Sequence, residues 1–446
     1  MMKLKEQAFS DYKEIIEQEA IKYERDFEKL YQQLEGSYAY YQGEVIPFLY
    51  QPFFFSQQEE DFFGQTSEQL SSILEQVIEE YLTNAEFRSY FNFSSELEEL
   101  ILEDPGYEAN FPMARFDIFY YGPEELKFCE LNTDGSSGMV KSNILEEYFK
   151  GAAAISELEE KYNLENWDLV DSWLETMFDA YQEFTVNDHQ PNLAIMDFDN
   201  YGMVGEFEYF KELLTNRGYN VKIVDPRELE YKNNKLYCED FEIDLIYRRA
   251  VTTDLMEHYY DLEDLWQAYK NHDVCLVGSF RSQIIHNKII FAILHDQEKV
   301  SFLSEEERKF IKQYIPYTEL LDTENREQLN EIIAKQEQLV LKPLDDYGAN
   351  GVLVGTDLAQ EVWKKEVTQI WEEGQNYLAQ EFCSLPEEEF VEFNDGNVNY
   401  SSYKYILGLF VYDQEFKGVY TRADQQNVIA SSTGCVTLPN FKVKEK

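Results

Sequence analysis

The segment "ARFDIFYYGPEELKFCELN", residues 114–132, constrains the fold more than any other part of the chain. It has the pattern of two β-strands joined by a short turn. Alternate side chains share a face of a strand, so Arg115 and Asp117 lie on one face of the first strand. Glu130 and Asn132 likewise share a face of the second strand. The segment therefore predicts a hairpin with a polar, charged face.

The turn decides whether these side chains meet. If the four residues "GPEE" form the turn, Tyr121 pairs with Leu126. In that register Asp117 lies opposite Glu130, with Cβ atoms about 5 Å apart. Two carboxylates at that separation repel each other and raise each other's pKa unless a cation lies between them. Hard divalent cations prefer such oxygen ligands, and Mg²⁺ typically combines one or two carboxylates with substrate phosphates.

The same register places Arg115 opposite Asn132, where its guanidinium is free to bind a phosphate or a carboxylate. The alternative is an ordinary surface ion pair between Arg115 and a neighbouring acid. The loop that follows, "LNTDGSSG", supplies Ser136 and Ser137 for backbone and hydroxyl contacts with a substrate. The hairpin and this loop together predict a site for a metal ion and a polar ligand.

The rest of the chain predicts an α+β protein that contains an α/β lobe. Residues 1–105 repeat apolar side chains at three- and four-residue spacing, which indicates helices. From residue 192, "NLAIMDF", "GEFEYFKELLTNRGY" and "NVKIVD" form a β-α-β unit with parallel strands. Helices and strands after residue 300 indicate a smaller α+β lobe, and the tail from residue 403 has the pattern of antiparallel strands.

The charge balance limits the partners of this 446-residue chain. It has 38 Lys and Arg against 87 Asp and Glu, a net charge of -49. Such a surface repels phosphate backbones and anionic lipid, so we expect no nucleic-acid or membrane binding. It attracts cations, although simple solubility also explains it. The five scattered Cys, the lack of an apolar signal region and the lack of an 18-residue apolar run predict a soluble cytoplasmic protein.

Common catalytic motifs are absent from the sequence. It contains no G-x-x-x-x-G-K-[ST], no G-x-G-x-x-G after a strand, no H-E-x-x-H and no G-x-S-x-G. The five His residues show no metal-ligand spacing. "DFDNYGMVGEFE" places acids at calcium-loop positions, but a strand precedes it where a calcium loop needs a helix, so a strand-to-helix turn is favoured.

Three features are compatible with phosphate binding. Lys342 interrupts the apolar strand "LVLKP", and Gly348 and Gly351 allow close approach of a phosphate to the backbone. Lys288 lies in the otherwise apolar helix "IIHNKIIFAI". The respective alternatives are a strand-end lysine that reaches water, a plain hairpin turn and a solvated helix face.

The motif "RFD", followed after about a dozen residues by "ELNTDGSS", resembles the magnesium-binding segment of the glutathionylspermidine synthase family. "DLIYRR", "FRSQIIHNKIIFAILHD", "VLKPLDDYGANGV" and "AQEF" resemble later blocks of that family, in its order. The resemblance covers roughly residues 105–446 and implies a circularly permuted ATP-grasp fold. It implies five segments: 1–105 (helical region), 106–185 (metal hairpin and helices), 186–298 (pre-ATP-grasp-like lobe), 299–385 (ATP-binding lid) and 386–446 (C-terminal strands).

The resemblance also implies roles for individual residues. Asp117, Glu130 and Asn132 would hold Mg²⁺, and Arg115 would face the phosphate in transfer. The ATP contacts that it implies are Lys288, Lys342, Gly348, Gly351, Gln380, Glu381, Phe382 and Arg422. The residues that we predict to bind substrate are Ser136, Ser137, Arg248 and Arg249. For the two arginines, pairing with nearby acids is the alternative.

These observations predict an ATP-dependent carboxylate-amine ligase that forms an amide bond through an acyl phosphate. The expected partners are a small-molecule or peptide carboxylate and an amine, with a polyamine as one candidate. Residues 1–105 contain no Cys and no His, so they are not the amidase of the bifunctional family members, and only the synthetase part is resembled. The alternatives are a phosphotransferase, a non-catalytic nucleotide-binding relative and a metal-dependent hydrolase.

Overall fold

The computed structural model describes residues 2–41, 43–186, 189–199, 204–344, 351–430 and 434–446. Its N-terminal part is mainly helical, and helix bounds there match the apolar spacing of the sequence. The elements up to residue 102 are α1 (Met2–Gln18), α2 (Ala20–Leu34), β1 (Tyr40–Tyr41), β2 (Glu44–Val45), β3 (Phe53–Phe55), α3 (Gln57–Thr83), α4 (Ala85–Arg88) and α5 (Ser95–Leu102). Helix α3 begins with a capping box, in which Ser56 and Glu59 bond each other's backbone N–H groups.

The predicted hairpin follows, and helices come after it. The elements are β4 (Met113–Gly122), β5 (Glu125–Asn132), α6 (Met139–Lys150), α7 (Ala153–Leu158), β6 (Tyr162–Glu165) and α8 (Leu169–Phe184). Helix α3 packs on this hairpin, since Phe63 lies edge-on to Tyr120 with ring centroids 5.0 Å apart. The N-terminal helices therefore share one core with the hairpin.

The next part contains the parallel sheet that the β-α-β pattern predicted. Its elements are β7 (Asn192–Met196), α9 (Val204–Asn216), β8 (Asn220–Val224), β9 (Leu229–Lys232), β10 (Lys235–Cys238), β11 (Phe241–Ile243), β12 (Leu245–Arg248), α10 (Thr252–Glu257), α11 (Glu263–Lys270), β13 (Cys275–Val277), α12 (Ser282–His286) and α13 (Ile289–His295). The parallel strands have the order β13-β12-β7-β8, and β9 to β11 form a separate antiparallel sheet. Ligands of such sheets typically bind beyond the carboxyl ends of the strands, at the switch point between β7 and β12, where the connections that follow the two strands leave in opposite directions.

A smaller lobe has its own sheet and core. Its elements are α14 (Glu305–Tyr314), β14 (Thr318–Leu320), α15 (Arg326–Ala334), β15 (Leu339–Pro343), β16 (Leu353–Val354), α16 (Gln360–Glu372) and β17 (Tyr377–Glu381). The antiparallel strand order is β14-β17-β15-β16. Leu341 packs with Trp363 and Val367 in a core separate from the main one. Gly348 lies outside the described residues, so its predicted role stays a prediction.

The C-terminal strands complete the sheet that the hairpin begins. They are β18 (Glu387–Asn394), β19 (Asn397–Tyr412), β20 (Glu415–Asp424), β21 (Val436–Leu438) and β22 (Asn440–Glu445). The strand order is β21-β20-β19-β4-β5, with β18 also paired to β19. Strand β19 lies antiparallel to β4, with Gly408 opposite Asp117. The predicted antiparallel tail is confirmed, and it brings residues near 410 and 420 beside the hairpin.

Helices and sheets mix throughout, so the predicted α+β class with an α/β lobe is confirmed. The proposed division into five segments stays a prediction. Among the residues that the structure describes, no helix has both the length and the apolar character needed to cross a membrane.

Candidate nucleotide and substrate site

The hairpin register is close to the predicted one, but the turn differs. Leu126 pairs with Tyr120 instead of Tyr121, because the turn spans only two residues and Tyr121 forms a bulge. A second bulge, at Cys129 on the opposite strand, shifts the register back by one residue. The two bulges cancel at the inner end of the hairpin, where the pairs are those predicted: Asp117 with Glu130, and Arg115 with Asn132.

Asp117 is neutralised by two guanidinium groups. Arg115 donates to it twice, from Nε to Oδ1 at 2.8 Å and from Nη2 to Oδ2 at 3.1 Å. Arg422 on β20 donates to Oδ2 at 2.6 Å. Burial acts to raise the pKa of Asp117, but the two guanidiniums outweigh it and hold the pKa below its usual range. Asp117 still acts to raise the pKa of Glu130, as expected of neighbouring carboxylates, but the expected net rise in pKa is wrong for Asp117 itself.

Glu130 is more accessible than Asp117. Its side chain is 37% exposed, and Lys288 Nζ lies 3.7 Å from Oε1. Burial raises the pKa of Glu130, Lys288 lowers it, and the net pKa lies below its usual range. Asn132 lies between the two acids, and its Nδ2 donates to Asp117 at 3.1 Å and to Glu130 at 3.4 Å.

These three side chains fit a magnesium ion by the chemistry of their donors. They present two carboxylates and one amide oxygen within one pair of strands, which is the hard oxygen set that Mg²⁺ prefers. Both oxygens of Asp117 are engaged by arginine, so Glu130 and Asn132 offer the more accessible ligands. The assignment of Asp117, Glu130 and Asn132 to Mg²⁺ stays a prediction.

A cleft of about 150 Å³ collects most of the residues predicted to contact ATP. Apolar side chains from the hairpin sheet and from the sheet of the smaller lobe form its walls, and Lys342 projects into it from β15. Lys342 Nζ donates to Gln380 Oε1 at 2.8 Å and to the Cys129 carbonyl at 3.1 Å, which links the small lobe to the hairpin. The predicted residues that line the cleft are Glu130, Lys288, Lys342, Gln380, Glu381 and Phe382.

Lys288 reaches the cleft because its helix is broken. The expected continuous helix through "IIHNKIIFAI" is wrong, since α12 ends at His286 and α13 begins at Ile289. Asn287 causes the break: its backbone is extended, and its Oδ1 accepts a hydrogen bond from the Ile289 N–H at 3.0 Å. The break points Lys288 toward Glu130 on the hairpin.

A second cavity, of about 190 Å³, adjoins the first. Arg115, Asn132, Ser136 and Ser137 line it from the hairpin and its loop. Lys288 lines both cavities, so it marks their junction. Arg115 Nη1 donates to the Ser137 carbonyl at 2.7 Å, which holds the loop against the polar face of the hairpin.

Arg248 and Arg249 lie behind this loop in buried ion pairs. Arg248 Nη1 contacts Asp134 at 2.5 Å, and Arg249 Nη2 lies 2.9 Å from Glu206. Arg249 also donates to the carbonyl of Ser136. Each guanidinium is 3% exposed or less, so the arrangement positions the loop. Substrate binding by these two arginines stays a prediction.

Gly351 and Arg422 occupy distinct places around the site. Gly351 lies just before strand β16 of the small lobe and has a φ of +67°. A Cβ at this position would lie 2.8 Å from the Tyr377 hydroxyl. Only glycine fits that position without strain. Arg422 lies on Asp117 and packs against the Tyr420 ring, with its Cζ 5.5 Å from the ring centroid.

Three cationic side chains surround the ring of Tyr420. Arg115, Arg422 and Lys141 all lie within 5.8 Å of its ring centroid. In the described residues, five cationic side chains and four carboxylates lie around the two cavities: Arg115, Lys141, Lys288, Lys342 and Arg422 against Asp117, Glu130, Asp134 and Glu381. The site is thus locally positive in a chain whose net charge is -49, which suits an anionic ligand.

Several residues of the site escaped the sequence analysis. Lys141 and Tyr420 belong to no recognisable sequence motif. The C-terminal strands come near the hairpin through the pairing of β19 with β4, which is a long-range contact. Gln283 and His286 line the second cavity from α12. Burial lowers the pKa of His286, which favours the neutral ring. The polar triplet "HNK" inside an apolar run was the available signal for a helix break at this point.

Comparison with known proteins defines the class. Residues 111–422 match the family model "Circularly permuted ATP-grasp type 2", which covers more than half of the chain. The hairpin, the second cavity and Arg422 lie within that range, as do most of the residues that line the first cleft. The protein therefore belongs to the circularly permuted ATP-grasp type 2 family.

One solved structure agrees with this fold, and others have lower similarity. A glutathione synthetase-like effector from Globodera pallida superposes with a TM-score of 0.61 at 12% identity, over 95% of this chain and 97% of that chain. D-alanyl-alanine synthetase A from Vibrio cholerae gives 0.31 at 8% identity, over 57% and 89% of the two chains. D-cycloserine synthetase gives 0.28 at 13% identity, over 57% and 75%. No curated protein sequence matches the chain.

Proposed function

We propose that the protein is an ATP-dependent carboxylate-amine ligase that releases ADP. The proposed reaction is of the kind that glutathionylspermidine synthases perform: a carboxylate is phosphorylated by ATP, and an amine then displaces phosphate to form an amide. Membership of the ATP-grasp family and the composition of the site support this proposal.

One observation carries the proposal. Lys288 and the metal-binding face lie where a largely apolar cleft meets a polar cavity, in the arrangement needed for a nucleotide to face a second substrate. The apolar cleft suits the adenine ring, and the cations at the junction suit the phosphates. An acid substrate in the polar cavity would then lie next to Arg115.

The residues around the two cavities are of the types that phosphoryl transfer requires. Lys288 and Lys342 would neutralise ATP phosphates, and Arg115 and Arg422 would bind charge that develops on the transferred group. Asp117, Glu130 and Asn132 would hold Mg²⁺, which neutralises charge and aligns the phosphates when bound. Phosphoryl transfer depends mainly on positioning and electrostatics, so the protein need not supply a nucleophile.

The acyl phosphate that results from this transfer must be kept from water until the amine arrives. The loop from Asn132 to Gly138 covers one side of the polar cavity and is fixed by Arg115, Arg248 and Arg249.

Cys129 is buried, and burial raises the pKa of its thiol, so it is suited to packing rather than to nucleophilic attack.

The experiment that tests the proposal measures ADP release with panels of carboxylates, peptides and amines, polyamines included, in the presence of Mg²⁺. Release that needs both an acid and an amine, with one amide formed per ADP, supports the ligase. Release that needs only an acceptor favours a phosphotransferase. Nucleotide binding with no release across all panels favours a non-catalytic relative, and substrate cleavage without nucleotide favours a hydrolase.

A further inference from the structure

A row of three residues crosses the hairpin sheet next to Arg115. Gly408 on β19 lies opposite Asp117 on β4 and opposite Tyr420 on β20. Directly opposite residues of antiparallel strands share one face of the sheet, so the row belongs to the face that carries Asp117. Because its middle member has no side chain, the row has a gap between the acid and the aromatic ring.

The side chain of Arg115 occupies this gap. A Cβ on Gly408 would lie 2.8 Å from Cδ of Arg115, 3.0 Å from its Cγ and 3.0 Å from Oδ1 of Asp117. Gly408 does not have a positive φ, so the close approach of these atoms, rather than the backbone conformation, requires the glycine. The aliphatic part of Arg115 therefore lies across β19, and its guanidinium carbon lies over the Tyr420 ring, 5.8 Å from the centroid.

The Tyr420 ring also contacts the loop that Arg115 holds. Gly138 ends that loop with a φ of +112°, and a Cβ there would lie 2.8 Å from Cε1 of the ring. Arg115 itself donates to the carbonyl of Ser137 at 2.7 Å. One ring thus packs against the guanidinium and against the segment that borders the polar cavity.

The hydroxyl of Tyr420 takes no part in these contacts. Tyr420 is 1% exposed, and its Oη makes no hydrogen bond among the described residues. A buried hydroxyl without a partner lowers stability, because it has lost its hydrogen bonds to water. Tyr405 on the same sheet differs, since its Oη donates to the Tyr120 carbonyl at 3.0 Å. The contacts of Tyr420 with the site come from its ring alone.

We propose that Tyr420 is a positioning residue whose ring holds the Arg115 guanidinium at the edge of the polar cavity. Hydrogen bonds to Asp117 fix one edge of the guanidinium, and the ring and the gap at Gly408 determine the path of the side chain that carries it. The inference rests on the proposed function, in which Arg115 binds charge on the transferred phosphoryl group. A guanidinium that is already in place stabilises this charge without reorganisation as it develops.

Tyr420→Leu removes the ring, whereas Tyr420→Phe removes only the hydroxyl. In Tyr420→Leu we expect kcat for ADP release to fall about tenfold or more, with the KM for ATP changed less than about threefold. Tyr420→Phe should keep the wild-type kcat and should not melt at a lower temperature, because it retains the ring and loses no hydrogen bond. Tyr405→Leu is the matched control: it removes a buried ring of the same sheet that contacts no cation in the described residues, and its kcat should not fall.

Arg115→Met shows whether the ring acts through Arg115, because methionine keeps an aliphatic chain over β19 and lacks the guanidinium. In that background Tyr420→Leu should lower kcat by less than about twofold. An equal loss in both backgrounds would mean that the ring acts through Arg422 or Lys141, and it would overturn the inference. A wild-type kcat in Tyr420→Leu, or an equal loss in Tyr420→Phe, would overturn it too.

Gly408→Ala replaces Tyr420→Leu if the latter does not fold. Its added Cβ must displace Arg115 from its place over β19, so kcat should fall in the wild-type background and not in Arg115→Met. An unchanged kcat in Gly408→Ala would show that the position of Arg115 does not depend on the gap, and it would overturn the inference.

Thermal unfolding separates this inference from the proposed function, because it needs no turnover. Absence of ADP release by the wild type contradicts the proposed function, and melting temperatures then decide the inference, as they do if Arg115→Met releases no measurable ADP. The fall in melting temperature caused by Tyr420→Leu, or by Gly408→Ala in its place, should be smaller in Arg115→Met than in the wild type, since the contact with the guanidinium is already absent. Equal falls in the two backgrounds overturn the inference.

Discussion

Arg422 donates a 2.6 Å hydrogen bond to Asp117, although the two residues lie 305 positions apart in the chain. The contact joins β20, near the C-terminus, to the hairpin that begins the family domain. Together with Arg115 it gives Asp117 two cationic partners within a buried site. These two ion pairs hold the pKa of Asp117 below its usual range in the free protein.

Asp117→Asn should strongly destabilise the protein. It removes the carboxylate that neutralises Arg115 and Arg422, whose side chains are each only 10% exposed. Breaking a buried ion pair by removing one partner costs about 3–5 kcal/mol, because the remaining charge is left uncompensated. Chemical denaturation at pH 7 measures this loss. A change below about 1 kcal/mol would show that the arginines do not depend on Asp117.

Lys342→Met should weaken nucleotide binding about tenfold or more. A hydrogen bond to a charged group is worth about 1.5–3 kcal/mol, and Lys342 projects into the cleft proposed for ATP. Calorimetric titration with Mg²⁺ and ATP measures the change. Lys335→Met is the control, because Lys335 is exposed on the outside of the small lobe and pairs with Glu331. Equal affinities of the two variants would place the phosphates elsewhere.

Glu146 should make stability fall as pH rises. Burial raises its pKa to about 8 from an ordinary 4.5, although Asn440 and Ser142 donate hydrogen bonds to it. Between those values the folded protein binds a proton that the unfolded chain has lost. Stability contributed by this group is therefore complete below pH 4.5 and is lost as pH rises through 8, by up to about 1.4 kcal/mol per pH unit.

Glu146→Gln carries no proton to lose, so its stability should depend less on pH over that interval. Denaturation at pH 5, 6, 7 and 8 compares the two proteins. The difference in unfolding free energy between variant and wild type should shift in favour of the variant at each step. A constant difference across the four values would mean that Glu146 does not titrate in this range.

The sequence predicted the polar face of the hairpin because strand alternation and short-range pairing are local properties. It could not predict the two bulges. The predicted pairing of Asp117 with Glu130 is nevertheless correct, because the two bulges shift the register in opposite directions and cancel. The contact of Arg422 with Asp117 depends on β19 and β20 joining the hairpin sheet, which is a long-range pairing. No local pattern encodes such a pairing.

The position of Lys288 shows a different limit. Its apolar neighbours predicted a continuous helix, because their spacing was given more weight than the polar triplet "HNK". Asn287 breaks the helix through its own side chain, and the break directs Lys288 to Glu130. The polar wall of the second cavity could not be assigned for the same reason, because Gln283 and His286 lie on the short helix before the break.

The central claim is that the metal-binding face of the hairpin supports ATP-dependent ligation. Its most direct test is Mg²⁺-dependent ADP release by Glu130→Gln, measured beside the wild type with the best acid and amine. Glu125→Gln is the matched control, because Glu125 is exposed at the far end of the same strand. Glu130 is partly exposed, so its substitution should leave the fold stable while removing a charged ligand oxygen. The account predicts a loss of about a hundredfold or more for Glu130→Gln and none for Glu125→Gln, whereas wild-type turnover by Glu130→Gln would contradict it.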